Sequence, residues 1–136
     1  MFAEFEKFTH ESIENNTPLT YENLSDYYGK LNEKYYGQSV ITDELISYEW
    51  ARIPHFYSSF YVYKYATGIT CAVNIANMIL NDPSSVDKYK EFLKSGCSRT
   101  PMETLALVDI DLTTKKPYKI AMQEFKNILD ELKKLK

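Results

Sequence analysis

Residues 49–68 read EWARIPHFYSSFYVYKYATG, a stretch that sets one histidine, His55, among a run of phenols and closes on Gly68. Neutral imidazole and phenol groups both donate hydrogen bonds. Aimed at one point, they can hold the negative charge that develops on a substrate oxygen, which is the work of an oxyanion site. Read as a helix, the stretch puts Tyr57 and Tyr61 one turn apart, with Lys64, Tyr65 and Gly68 further along the same face and His55 within reach. Gly68 would let another backbone approach closely. The same spacing also describes aromatics that wedge a helix into its neighbours, so on the residues alone both readings stand. Arg52 and Lys64 carry a similar choice between binding a peptide carboxylate and pairing with acids such as Glu49.

A face of donors needs a rigid element behind it, and the chain offers helices. Almost every segment has helical period and no run alternates strictly enough for a strand, so the expected fold is all-α. A first helix places Phe2, Phe5, Phe8 or Thr9, Ser12 and Ile13 on one face and frays before Pro18. Thr20 caps a second, with Leu24, Tyr27, Tyr28, Leu31 and Tyr35 on its apolar face and Gly37 as its stop. A third starts near Thr42, with Asp43 and Glu44 in its first turn, and runs toward Pro54. Proline suits a first helical turn, so a long central helix is expected over about 54–80, ended by Asn81, Asp82 and Pro83. Ser84 or Ser85 caps a short helix that stops at Gly96, and Thr100, Pro101 and Glu103 spell a capping box for the next. A last amphipathic helix carries Tyr118, Ala121, Phe125, Ile128, Leu132 and Leu135.

Length and charge limit what such a bundle does. At 136 residues the chain is read as a single domain over 1–136. A net charge of −3 gives no basic footprint, so no nucleic-acid partner is expected. No apolar run approaches the roughly 18 residues of a membrane span, so no membrane partner is expected either. Cys71 and Cys97 stand alone without a C-x-x-C spacing, and MFAEFEKFTHES lacks the pattern of a signal peptide. The expected setting is a reducing, cytoplasmic one.

The words EWARIPHFYSSFYVYKYATGIT, YKEFLKSGCSRTPMETLALVDIDL and FKNILDELKKL, preceded in order by MFAEFE, LTYENL and KYYG, carry a more specific signal. Together they resemble the C-terminal part of oligoendopeptidase F, in the M3 family of zinc metallopeptidases. The resemblance runs over essentially the whole chain. It implies a multi-helix C-terminal portion of a peptidase catalytic domain that cuts short peptides. It also implies that His55 and tyrosines among Tyr57, Tyr61 and Tyr63 face the scissile carbonyl.

In that family zinc is held by an H-E-x-x-H helix and a further Glu, with the motif glutamate activating water. The sequence contains no H-E-x-x-H. The nearest word is HESIE, where His10 and Glu14 lie one turn apart and no second histidine follows, a spacing usual for a solvated helix pair. Zinc is therefore expected in the intact family enzyme and not on this chain alone. The implied partners are a short peptide and an upstream zinc-bearing portion. Without that portion the chain is expected to be inactive and to self-associate through uncovered apolar surface. The alternative is a free-standing helical interaction module that has lost catalysis.

Overall fold

Thr20 begins α2, Tyr21–Tyr36, with the capping arrangement its sequence spells: its side chain accepts from the Asn23 N–H, and Asn23 Oδ1 accepts from the Thr20 N–H at 2.8 Å. The computed structural model describes residues 1–135, and every element among them is helical. α1 spans Phe2–Glu14, α3 Tyr63–Asn81, α4 Val86–Lys94, α5 Pro101–Ala106 and α6 Lys116–Lys134. Three 3₁₀ segments, Glu44–Arg52, Pro54–Tyr57 and Pro83–Ser85, join them. The described residues form two compact units, Met1–Lys64 and the remainder from Tyr65 onward.

In the first unit an aromatic core forms where α1, α2 and the 3₁₀ segments meet. Phe5, Tyr28, Leu31 and Ile53 are buried, with Leu24, Tyr27, Trp50 and Phe56 packed against them. Phe5 meets Tyr28 edge-on at 5.1 Å and Phe56 at 5.0 Å, the offset geometries that ring quadrupoles favour. Ile13 and Tyr35, both expected on apolar faces, are exposed instead. Tyr35 uses its exposure to donate to Glu4 Oε2 at 2.8 Å, and Lys34 pairs with Glu4 Oε1 at 2.7 Å.

The third predicted helix forms as the 3₁₀ segment Glu44–Arg52, with Asp43 as its cap, accepting from the Leu45 N–H at 2.7 Å. Trp50 Nε1 donates to Ser25 at 3.1 Å, and Tyr28 donates to Glu49 at 2.9 Å, so the segment is tied to α2 at two buried or half-buried points.

The expectation of one long helix over about 54–80 is corrected. Pro54 does open a helical turn, but it is a single 3₁₀ turn, and α3 starts only at Tyr63. The chain leaves helix at Ser58, whose φ of −124° and ψ of 103° are extended, and Phe60 two residues on is left-handed at a φ of 56°, so no right-handed helix passes through 58–60. The helical register proposed for Tyr57 and Tyr61 does not exist.

In the second unit Val108, Ile110, Thr70, Pro117 and Ala121 are buried. Asn74 ties α3 to α6 by donating to the Pro117 carbonyl at 2.9 Å. The Thr100 capping box is present, with the Thr100 N–H donating to Glu103 Oε2 at 2.8 Å.

Gly68 lies inside α3 with nothing beyond its own helix backbone and chain neighbours within 4 Å of the place a Cβ would occupy, so the close backbone approach expected there is not found among the described residues. Gly68→Ala should therefore stabilise the chain by about 0.5–1 kcal/mol, read as a raised midpoint in urea unfolding. A lowered midpoint would mean that this space is filled in solution.

Candidate functional site

Two anchored stretches of the first unit hold the candidate donors. Ile53 is buried and Phe56 packs on the same core, so the 3₁₀ turn Pro54–Tyr57 is pinned at both ends and leaves His55 half-buried between them. Val62, again buried, pins the chain just after Tyr61. The His55 and Tyr61 rings stack across the intervening loop with centroids 5.5 Å apart and planes 29° from parallel. Lys64 Nζ lies 4.9 Å from the Tyr61 ring centroid, so the phenol has a cation on its face.

The other tyrosines behave differently. Tyr57 is 75% exposed, and its hydroxyl donates to the Ala51 carbonyl at 3.0 Å. That bond closes the turn and occupies the proton an oxyanion donor would offer. Tyr63 is exposed at the first position of α3. The structure thus brings His55 and Tyr61 together, directs the Tyr57 hydroxyl into the backbone, and sets Tyr63 at the head of the next helix.

The charged candidates resolve as well. Arg52 pairs with Glu49, which also accepts from Tyr28. In HESIE, the His10 ring stacks on Phe60 at 4.2 Å, and Glu11 pairs with Lys7 at 3.4 Å. Among the described residues no three His, Cys, Asp or Glu side chains are arranged to hold a metal ion. The donor set of the described residues therefore does not fit a zinc centre.

Sequence reasoning missed Glu6. Its side chain is buried, with the residue 4% exposed, and Oε1 accepts from the Phe60 N–H at 2.6 Å. A glutamate beside Phe5 on an otherwise amphipathic helix gives no local sign that its partner lies fifty-four residues away. The only available signal is the phenylalanine that must turn left-handed to meet it, and a bulky residue there is not read from pattern.

The chain as a whole is similar to known peptidases. The profile described as "Peptidase family M3" matches residues 1–124. Oligopeptidase PepF of Bacillus subtilis is 42% identical over 136 residues, which is 99% of this chain and 20% of that protein. The oligoendopeptidase F homolog of Borreliella burgdorferi is 45% identical over 99% of this chain and 23% of its own length. The crystal structure of oligoendopeptidase-F from Enterococcus faecium superposes with a TM-score of 0.90 at 45% identity, covering 98% of this chain and 26% of that one. The chain thus spans about a fifth to a quarter of the proteins it matches. Peptidases of this family depend on zinc. With nearly all of its length matched, the chain is an oligoendopeptidase F-like segment and belongs to peptidase family M3.

Proposed function

We propose that this chain supplies the substrate-oxygen side of an oligopeptidase active site. His55 and Tyr61, with Tyr63 next along the chain, donate hydrogen bonds to the carbonyl oxygen of a short peptide as negative charge develops on it. The observation that carries this reading is the His55–Tyr61 ring pair, held at 5.5 Å on a turn anchored by buried residues on both sides. Donors fixed before the reaction need no reorganisation during it, which is where such sites gain their effect. Both groups are proton donors in their neutral states, so they add polarity without adding a charge that a peptide must desolvate.

The metal that the family requires finds no set of converging ligands among the described residues, so it is brought by an upstream portion of the enzyme. Alone, the chain is inactive. The setting is cytoplasmic, in keeping with two free cysteines, and no described helix is long and apolar enough to cross a membrane. Met122, Phe125, Ile128 and Leu132 of α6 are exposed. An apolar stripe of that kind favours self-association of the isolated chain.

One experiment tests the reading. The purified chain is assayed on a fluorogenic oligopeptide with added zinc, alone and mixed with a zinc-bearing portion, and sedimented at high concentration. Hydrolysis only in the mixture, with association of the chain alone, is the expected outcome. Hydrolysis by the isolated chain that a chelator abolishes and zinc restores would overturn the division of labour. A monomer at high concentration would remove the self-association.

A further inference from the structure

We propose that Glu6 and His10, one turn apart on α1, are positioning residues that clamp Phe60 in its left-handed conformation and thereby set the His55–Tyr61 pair. The proposal rests on the reading of that pair as the donor site.

Three observations converge on Phe60. Its φ is 56°, a region that a bulky L-residue enters only when its surroundings hold it there. Its N–H donates to Glu6 Oε1 at 2.6 Å, a charge-assisted bond with the carboxylate buried. Its ring stacks on His10 at 4.2 Å. Backbone and side chain of one residue are thus both gripped by α1, from positions four apart that share a helix face.

The consequence falls on the next residue. The chain leaves helix at the extended Ser58, and the left-handed Phe60 then turns Tyr61 back so that its ring lies against His55. Were residues 58–62 helical, Tyr61 would lie nearly two turns beyond His55 along an axis and the rings would not stack. Glu6 acts through the Phe60 backbone, which is why its role is positioning.

The test uses NMR on the 136-residue chain and turnover where the zinc-bearing portion is supplied. In the unaltered chain the Phe60 amide should exchange with solvent more slowly than its neighbour Ser59, and cross-peaks should join the His55 and Tyr61 rings. Glu6→Gln keeps an acceptor of the same length and should preserve both. Glu6→Leu keeps the helix and fills the space without an acceptor. Phe60 exchange should rise about tenfold or more and the ring cross-peaks fade, while the Leu31 amide keeps its protection. In the turnover assay Glu6→Leu should lower kcat about tenfold to a hundredfold with KM little changed, and Glu6→Gln should restore most of it.

Ring cross-peaks indifferent to Glu6→Leu would overturn the clamp. So would an unprotected Phe60 amide in the unaltered chain, a result that stands even if Glu6→Leu fails to fold. Cross-peaks that depend on Glu6 support the clamp whatever the hydrolysis assay gives, so a failed assay counts against the peptidase reading alone.

Discussion

Replacing His55 by alanine in a complete peptidase that carries this segment should lower kcat by about 10²–10³-fold, with little change in KM. That is the scale on which single oxyanion donors act. The geometry adds a ranking that a general loss of structure would not give. Tyr61→Phe keeps the ring against His55 and removes only the hydroxyl, so its loss should approach that of His55→Ala. Tyr57→Phe should be mild, because the Tyr57 hydroxyl already donates to the Ala51 carbonyl at 3.0 Å. Removing it costs about 1 kcal/mol of turn stability and no donor to the substrate. Steady-state kinetics on a fluorogenic peptide, with zinc content measured for each variant, checks the order. A Tyr57→Phe variant more impaired than His55→Ala would invert it and place the working phenol elsewhere.

How that site could be read from sequence depends on the range of the interaction that makes each part. The caps at Thr20 and Thr100 were legible because donor and acceptor lie three residues apart, and the local chemistry of Thr and Asn or Glu decides the outcome. The all-α character was legible for the same reason, since period is a local property. His55 stood out by type alone.

Which tyrosine accompanies His55 was not legible, because it turns on where the helix from Pro54 breaks. The chain leaves helix at Ser58 and turns left-handed at Phe60, whose N–H meets a buried carboxylate on α1, remote in the chain, with no glycine to announce the turn. Periodicity also misjudged the apolar faces. It gives a stripe but not how much of the stripe a core covers, and so it included Ile13 and Tyr35 while overlooking buried Glu6. These misses share one physical origin, a tertiary contact overriding a local preference.

The largest effect on stability is expected at Tyr28. The side chain is fully buried, lies edge-on to Phe5 at 5.1 Å, and donates to Glu49 Oε2 at 2.9 Å. Tyr28→Ala should cost about 3–5 kcal/mol, the loss of a large ring plus the cavity it leaves. Tyr28→Phe keeps the ring and removes one hydrogen bond to a charged group, for about 1.5–3 kcal/mol.

The two residues, Tyr and Phe, also differ in their response to pH. Burial, with the Glu49 carboxylate beside it, pushes the Tyr28 phenol well above its ordinary value near 10. The folded chain therefore keeps this proton where the unfolded chain loses it. The contribution of the phenol is complete below pH 10. It declines by about 1.4 kcal/mol for each unit above that, until the folded phenol itself ionises. The stability advantage of the natural chain over Tyr28→Phe, measured by urea unfolding, should be constant from pH 7 to 9 and shrink from 10 to 11. Taking the difference between the two cancels the titration of the other tyrosines. An advantage that stays constant through pH 11 would mean that the phenol is not held neutral by its surroundings, and that Glu49 is not what fixes the 3₁₀ segment before His55 onto α2.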